Sequence, residues 1–136
     1  MKKIENYSKC LEVLKGADKS KAQSDEIYRM GVIGQFNLTF ELAWKALKEV
    51  MQIYGIDTAK TGSPREVLKE GYRIGFLSDS DIWLDMLSRR NIITHIYNGS
   101  TVDEFIDQIF DNYIATFEKL HNALNDKINN LECEKL

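Results

Sequence analysis

Residues 25–54, DEIYRMGVIGQFNLTFELAWKALKEVMQIY, read as one long helix, and that reading decides the fold. Ile33, Phe36, Phe40, Ala43, Leu47, Val50 and Tyr54 recur at alternating spacings of four and three. This is the seam of a helix lying nearly parallel to its neighbours in a bundle. Ser24 is the expected cap, and Asp25 and Glu26 suit the positive end of the helix. Gly55 is the expected stop. Gly31 and Gly34 inside the helix cost roughly 1 kcal/mol each relative to alanine. The favoured explanation is close approach of a neighbouring helix; the alternative is a kink that makes room for a ligand.

On the N-terminal side, Ile4, Tyr7, Leu11 and Leu14 give residues 2–16 one apolar stripe, with Gly16 as a stop and 17–23 as the connection. On the C-terminal side, 56–62 reads as a loop. Ser63-Pro64-Arg65-Glu66 then starts a short helix: a cap serine, proline in the first turn and glutamate at the capping-box position. That helix carries Val67, Leu68 and Tyr72 and stops at Gly75. A fourth helix is expected from Ser78 or Asp79 to Asn98-Gly99. Ser100 or Thr101 caps the last, whose stripe is Phe105, Ile106, Ile109, Phe110, Tyr113, Phe117, Leu120 and Leu124. The tail 126–136 is expected to fray. No strand is defensible. The expected fold is all-α: an antiparallel up-and-down four-helix bundle with one additional short helix, in a single domain over 1–136.

Hydrophobic residues make up 43% of the 136, enough to fold around one core. No apolar run is long enough to span a bilayer, and MKKIENYSK has no apolar segment behind its lysines. A cytoplasmic protein without membrane contact is expected. The net charge of −3 argues against a broad positive field, so any polynucleotide contact is local. Cys10 and Cys133 lie near opposite ends without zinc-like spacing and read as free thiols.

The chemistry concentrates in Ser88–Ser100, SRRNIITHIYNGS. With Arg90 at zero on a helical wheel, Tyr97, Thr94, Asn98, Asn91 and His95 fall between about −20° and 140°. Ile92, Ile96 and Ile93 take the opposite arc, near 200°, 240° and 300°. One turn upstream the pattern is reversed: Ile82, Trp83, Met86 and Leu87 share the face that Arg90, Thr94 and Tyr97 continue. Asp81, Asp85 and Arg89 share the face that Ile92 and Ile96 continue. A helix that swaps faces either breaks or enters a polar pocket, leaving an apolar patch outside. The swap points to a site plus an interface.

Other sites are weakly supported. His95 and His121 fall on different helices, no HExxH is present, and Asp79, Asp81 and Asp85 read as solvated groups near a helix start. No metal or cofactor is expected. There is no P-loop and no GxGxxG. Glu41 reads as a rim carboxylate or helix-pairing charge, and Trp44 as core. For Arg90, Asn91, His95 and Tyr97 the plain reading is a polar seam between helices. The functional reading uses their chemistry: histidine moves a proton near neutral pH, and arginine offers a planar fork for phosphate oxygens. Together they can promote attack of a ribose 2′-hydroxyl on the adjacent phosphate. On a straight helix Arg90 and His95 point about 140° apart, so one chain makes a poor site. Two copies packed through Ile92 and Ile96 would make a better one.

Arg90-Asn91-Ile92-Ile93-Thr94-His95-Ile96-Tyr97 resembles the R-x4-H-x-Y motif of HEPN (higher eukaryotes and prokaryotes nucleotide-binding) domains. FELAWKALKEV (40–50), SPREVLKEGYRIG (63–75) and the run Trp83–Tyr97 resemble the branch called nucleotidyltransferase substrate-binding proteins. The likeness extends from about Tyr28 to Leu124. It implies a helical-bundle homodimer encoded beside a minimal nucleotidyltransferase, with RNA or a nucleotide as ligand. In related toxin–antitoxin pairs the HEPN chain is a metal-independent ribonuclease, silenced in some cases by AMP transfer to the motif tyrosine. Carried over, Arg90 and His95 are catalytic, Asn91 supports them and Tyr97 is the modification acceptor. The branch name implies the alternative, a non-catalytic nucleotide- or substrate-binding subunit.

Overall fold

The computed structural model describes residues 2–56, 62–90 and 99–134. Among these residues every regular element is a helix. The first, α1 (Lys2–Lys15), buries Ile4, Tyr7, Leu11 and Leu14, the stripe its spacing predicts.

The segment 17–23 is not a plain connection. It contains α2 (Lys19–Ser24), capped by Asp18, whose carboxylate accepts from the Lys21 amide at 3.1 Å. The long helix α3 (Glu26–Ile53) is capped by Asp25 rather than Ser24: Asp25 accepts from the Tyr28 amide, while the Ser24 hydroxyl donates back to the Ser20 carbonyl. Asp25 alone separates the two helices, in extended conformation. Arg29 fixes this corner by donating to the carbonyls of Ala22 and Gln23, each at 2.8 Å. Those carbonyls at the end of α2 have no partner further along their own helix.

After Gly55, at φ 77°, the chain leaves α3. Helix α4 (Pro64–Arg73) starts as predicted, with Ser63 accepting from the Glu66 amide and proline in the first turn. It stops at Gly75 (φ 87°), where the Phe76 amide donates to the Gly71 carbonyl. Tyr72, expected on its buried face, is 52% exposed. Helix α5 (Ser80–Arg89) buries Trp83 and Met86. Helix α6 (Gly99–Gln108) begins at Gly99, so Ser100 and Thr101 lie inside it and are not its cap. It continues through a π-helical turn, Ile109–Tyr113, into α7 (Ile114–Glu134).

The π turn has a cause in the sequence. Ile109, Tyr113 and Phe117 are all buried, and two successive steps of four drift about 80° around a regular α-helix. One wider turn restores the alignment. The C-terminal segment expected to fray from 126 is helical to Glu134. Tyr54 Oη donates to the Lys127 carbonyl at 2.8 Å, and Ile128 packs on the core.

Packing centres on Phe36 of α3, whose ring meets Phe105, Tyr113 and Phe117 with centroids 5.1, 5.4 and 5.8 Å away. Helix α1 lies against α3 and α7, and α4 packs on both α3 and α5. Tyr7, fully buried, donates its hydroxyl to the Phe117 carbonyl and meets His121 edge-on. His121 is thereby part of the packing.

The glycine expectation is overturned. A Cβ built on Gly31 or Gly34 meets nothing within 4 Å, so among the described residues neither marks a close helix approach. That role belongs to Gly71 of α4, where a Cβ would lie 3.0 Å from Leu47 Cδ2. Sequence spacing cannot tell an open glycine from a crowded one.

Candidate functional site

Helix α5 brings two arginines to its C-terminal end, and each is drawn to a different long helix. Arg90 turns toward α3, its Nη1 donating to Glu41 Oε1 at 2.5 Å. The other oxygen of Glu41 accepts from Trp44 Nε1 at 2.9 Å. The Arg90 guanidinium carbon also lies 5.8 Å from the centre of the Phe40 ring. Arg90 and Glu41 are 24% and 34% exposed, an ion pair half out of water. Glu41, held at both oxygens, anchors the guanidinium at Nη1, and the face of the Phe40 ring adds a cation–π attraction.

Arg89 turns the other way. Its Nη2 donates to Glu104 of α6 at 2.7 Å, its Nε lies 3.6 Å from Asp85, and its guanidinium sits 5.7 Å from the Phe105 ring centre. Tyr113, at the end of the π turn, donates its hydroxyl to Asp85. Burial and this hydrogen bond push the Tyr113 phenol well above its usual range, partly offset by the Arg89 charge. Burial lowers the Arg89 pKa, but Glu104, Tyr113 and Asp85 outweigh it and the net shift is upward. The end of α5 is thus tied to α3 by Arg90 and to α6 by Arg89.

Of the residues singled out by sequence, the structure places Arg90 at the end of α5, on the face that carries buried Met86 one turn earlier and Trp83 two turns earlier. Asn91, Ile92, His95, Ile96 and Tyr97 lie outside the described residues. Of the two readings of Glu41, a rim carboxylate or a helix-pairing charge, its bond to Arg90 gives the second. Trp44 is half-buried at the edge of the core and not inside it. Asp79 and Asp85, read as solvated, have assigned partners: Asp79 lies 3.4 Å from Lys119, and Asp85 serves Tyr113 and Arg89.

The Arg89–Glu104–Asp85–Tyr113 network was missed from sequence. Its members span 85 to 113, with Tyr113 at the end of a π turn; the alternation of faces around Arg89 was the available signal. Asn37 was missed as well. It lies one turn before Glu41 on α3, and its Oδ1 is buried without a hydrogen-bond partner among the described residues. An orphaned buried acceptor is uncommon.

Residues 2–126 match the family model described as nucleotidyltransferase substrate binding protein like. A curated relative from Haemophilus influenzae, named Probable ribonuclease HepT, is 30% identical over 83 residues. The match covers 60% of this chain and 57% of that protein's length. The chain belongs to the nucleotidyltransferase substrate-binding-protein-like family, within the HEPN-domain proteins.

Proposed function

We propose that the chain is a HEPN-type, metal-independent endoribonuclease whose partner is a minimal nucleotidyltransferase. The observation that carries this reading is Arg90: half-buried, oriented by Glu41 and Phe40, and first residue of the R-x4-H-x-Y motif. The related protein's name, Probable ribonuclease HepT, supports it.

In the proposed reaction Arg90 binds the non-bridging oxygens of the scissile phosphate and stabilises their growing charge. The His95 imidazole takes the proton of the 2′-hydroxyl as its oxygen attacks phosphorus. The bond to the 5′-oxygen breaks, and that oxygen leaves with a proton from an imidazolium. The products are a 2′,3′-cyclic phosphate and a 5′-hydroxyl end. Asn91 orients the reacting groups. The functional unit is a homodimer of up-and-down four-helix bundles packed through Ile92 and Ile96, so that Arg90 of one subunit and His95 of the other meet one phosphate.

The nucleotidyltransferase would silence the site by adenylylation. The Tyr97 phenol oxygen attacks the α-phosphorus of ATP, the bond to pyrophosphate breaks, and the phenolic proton is released to solvent. AMP on Tyr97 then occupies the groove meant for RNA.

A second reading is favoured by the family description itself: a non-catalytic subunit that binds a nucleotide or presents substrate to the nucleotidyltransferase. Incubation of the purified protein with RNA in EDTA, beside Arg90→Ala and His95→Ala, separates the two. Cleavage that vanishes in both variants supports the nuclease. An inert parent that binds ATP saturably, alone or with the partner, supports the subunit. For Tyr97, partner and ATP are expected to add the mass of one AMP, and Tyr97→Phe to prevent it.

A further inference from the structure

On α3, Glu41, Trp44, Lys45 and Lys48 fall at spacings of three, one and three, and so share one face of the helix. Glu41 is common to two contacts: one oxygen holds Arg90 and the other holds the indole N–H of Trp44. The indole is therefore fixed beside the arginine. The ammonium groups of Lys45 and Lys48 lie over the Trp44 ring, 6.0 and 5.8 Å from its centre, so a base that stacks there displaces an ammonium toward its own phosphates. Trp44 differs from Trp83, which is 1% exposed and wholly internal.

We propose that this face is a binding track for single-stranded RNA, in which Trp44 stacks a nucleobase next to the phosphate held by Arg90. Lys45 and Lys48 take the phosphates further along. This rests on the ribonuclease reading and names the binding residues that reading lacks. An aromatic plane with flanking cations is the usual means of holding unpaired bases without reading their sequence. It also fits the chain's charge: with a net −3, contact has to come from a local set of cations. The carboxylate of Glu41 does not oppose it, because Arg90 at one oxygen and Lys45, 4.0 Å from the other, together exceed its single charge. Bases paired in a duplex present no free face to Trp44, so the track selects unpaired RNA.

Tryptophan fluorescence provides the test, since Trp83 is shielded. The full-length protein is titrated with an uncleavable 2′-O-methyl oligonucleotide, single-stranded or annealed to its complement. The expected result is saturable quenching by the single strand, absent in Trp44→Phe. Kd measured by anisotropy should rise about tenfold in Trp44→Ala and less than about threefold in Trp44→Tyr. Lys48→Gln should reduce the slope of log Kd against log salt by about 0.7. A packing role alone would lower the melting temperature of Trp44→Ala and leave Kd unchanged.

Absent quenching, equal affinity for the duplex, or unchanged Kd in Trp44→Ala each overturns the track. Cleavage assays keep the two readings apart. Binding as expected without cleavage by the parent leaves the track and removes the nuclease. Cleavage with an unchanged KM in Trp44→Ala leaves the nuclease and removes the track.

Discussion

The ion pair between Arg90 and Glu41 can be measured by a double-mutant cycle of Glu41→Gln and Arg90→Gln. Glutamine at 41 keeps an amide oxygen for the Trp44 indole N–H, so the single variant removes charge and not that hydrogen bond. The charged atoms lie 2.5 Å apart, and the side chains are 24% and 34% exposed. At an effective dielectric of about 20, charge centres about 4 Å apart attract by roughly 4 kcal/mol. Solvent screening of the two partly exposed side chains reduces this by about half, which places the coupling near 2 kcal/mol, between exposed and buried pairs. Urea unfolding of the parent, both single variants and the double variant gives the four free energies by linear extrapolation. The double variant should be more stable than the sum of the singles predicts by about 2 kcal/mol. Moderate salt should weaken this only in part, because the pair is half shielded. A coupling under about 0.5 kcal/mol, the range of exposed pairs, would refute the claim that Glu41 holds the arginine in place.

Three further outcomes follow from the same structure. Gly31→Ala and Gly34→Ala fill open space inside α3 and should each stabilise the chain by about 0.5–1 kcal/mol in urea unfolding. Gly71→Ala should bring no such gain, because Leu47 must give way by a few tenths of an ångström. The raised phenol pKa of Tyr113 means the folded state keeps that proton when the unfolded chain loses it. Its contribution is therefore full below about pH 10 and is lost as pH rises further. Tyr7, also raised by burial, adds to the same alkaline decline, so Tyr113→Phe should make the decline shallower without abolishing it.

Much of the helical layout was legible because burial imposes a period on sequence. The stripes of α1, α3 and the last helix are buried except for Tyr54, 37% exposed at the end of α3, and Phe110, half-buried, and the proline and cap serine before α4 mark its start. What was not legible depends on events away from the residue itself. Asp25 displaces Ser24 as cap because an unforeseen turn of helix, α2, uses the serine. The glycines of α3 and α4 differ only in what another helix brings near them. Arg89 read as a surface charge, yet is 14% exposed, because a π turn 20 residues later supplies Tyr113 and Glu104 approaches from α6. At the site, the wheel puts Arg90 on the inward face, and Glu41 beside the apolar stripe reads as a rim carboxylate or a helix-pairing charge; that one bonds the other took three dimensions to see.

The most direct test of a site shared between two subunits is to mix them. Arg90→Ala and His95→Ala chains, each inactive, are unfolded together, refolded and assayed on RNA in EDTA. Half of the random dimers would be mixed, and each mixed dimer would keep one intact site of two, so about a quarter of parental cleavage should return. No recovery, beside a parent that cuts, would place the site within one subunit. A parent that does not cut would contradict the nuclease itself.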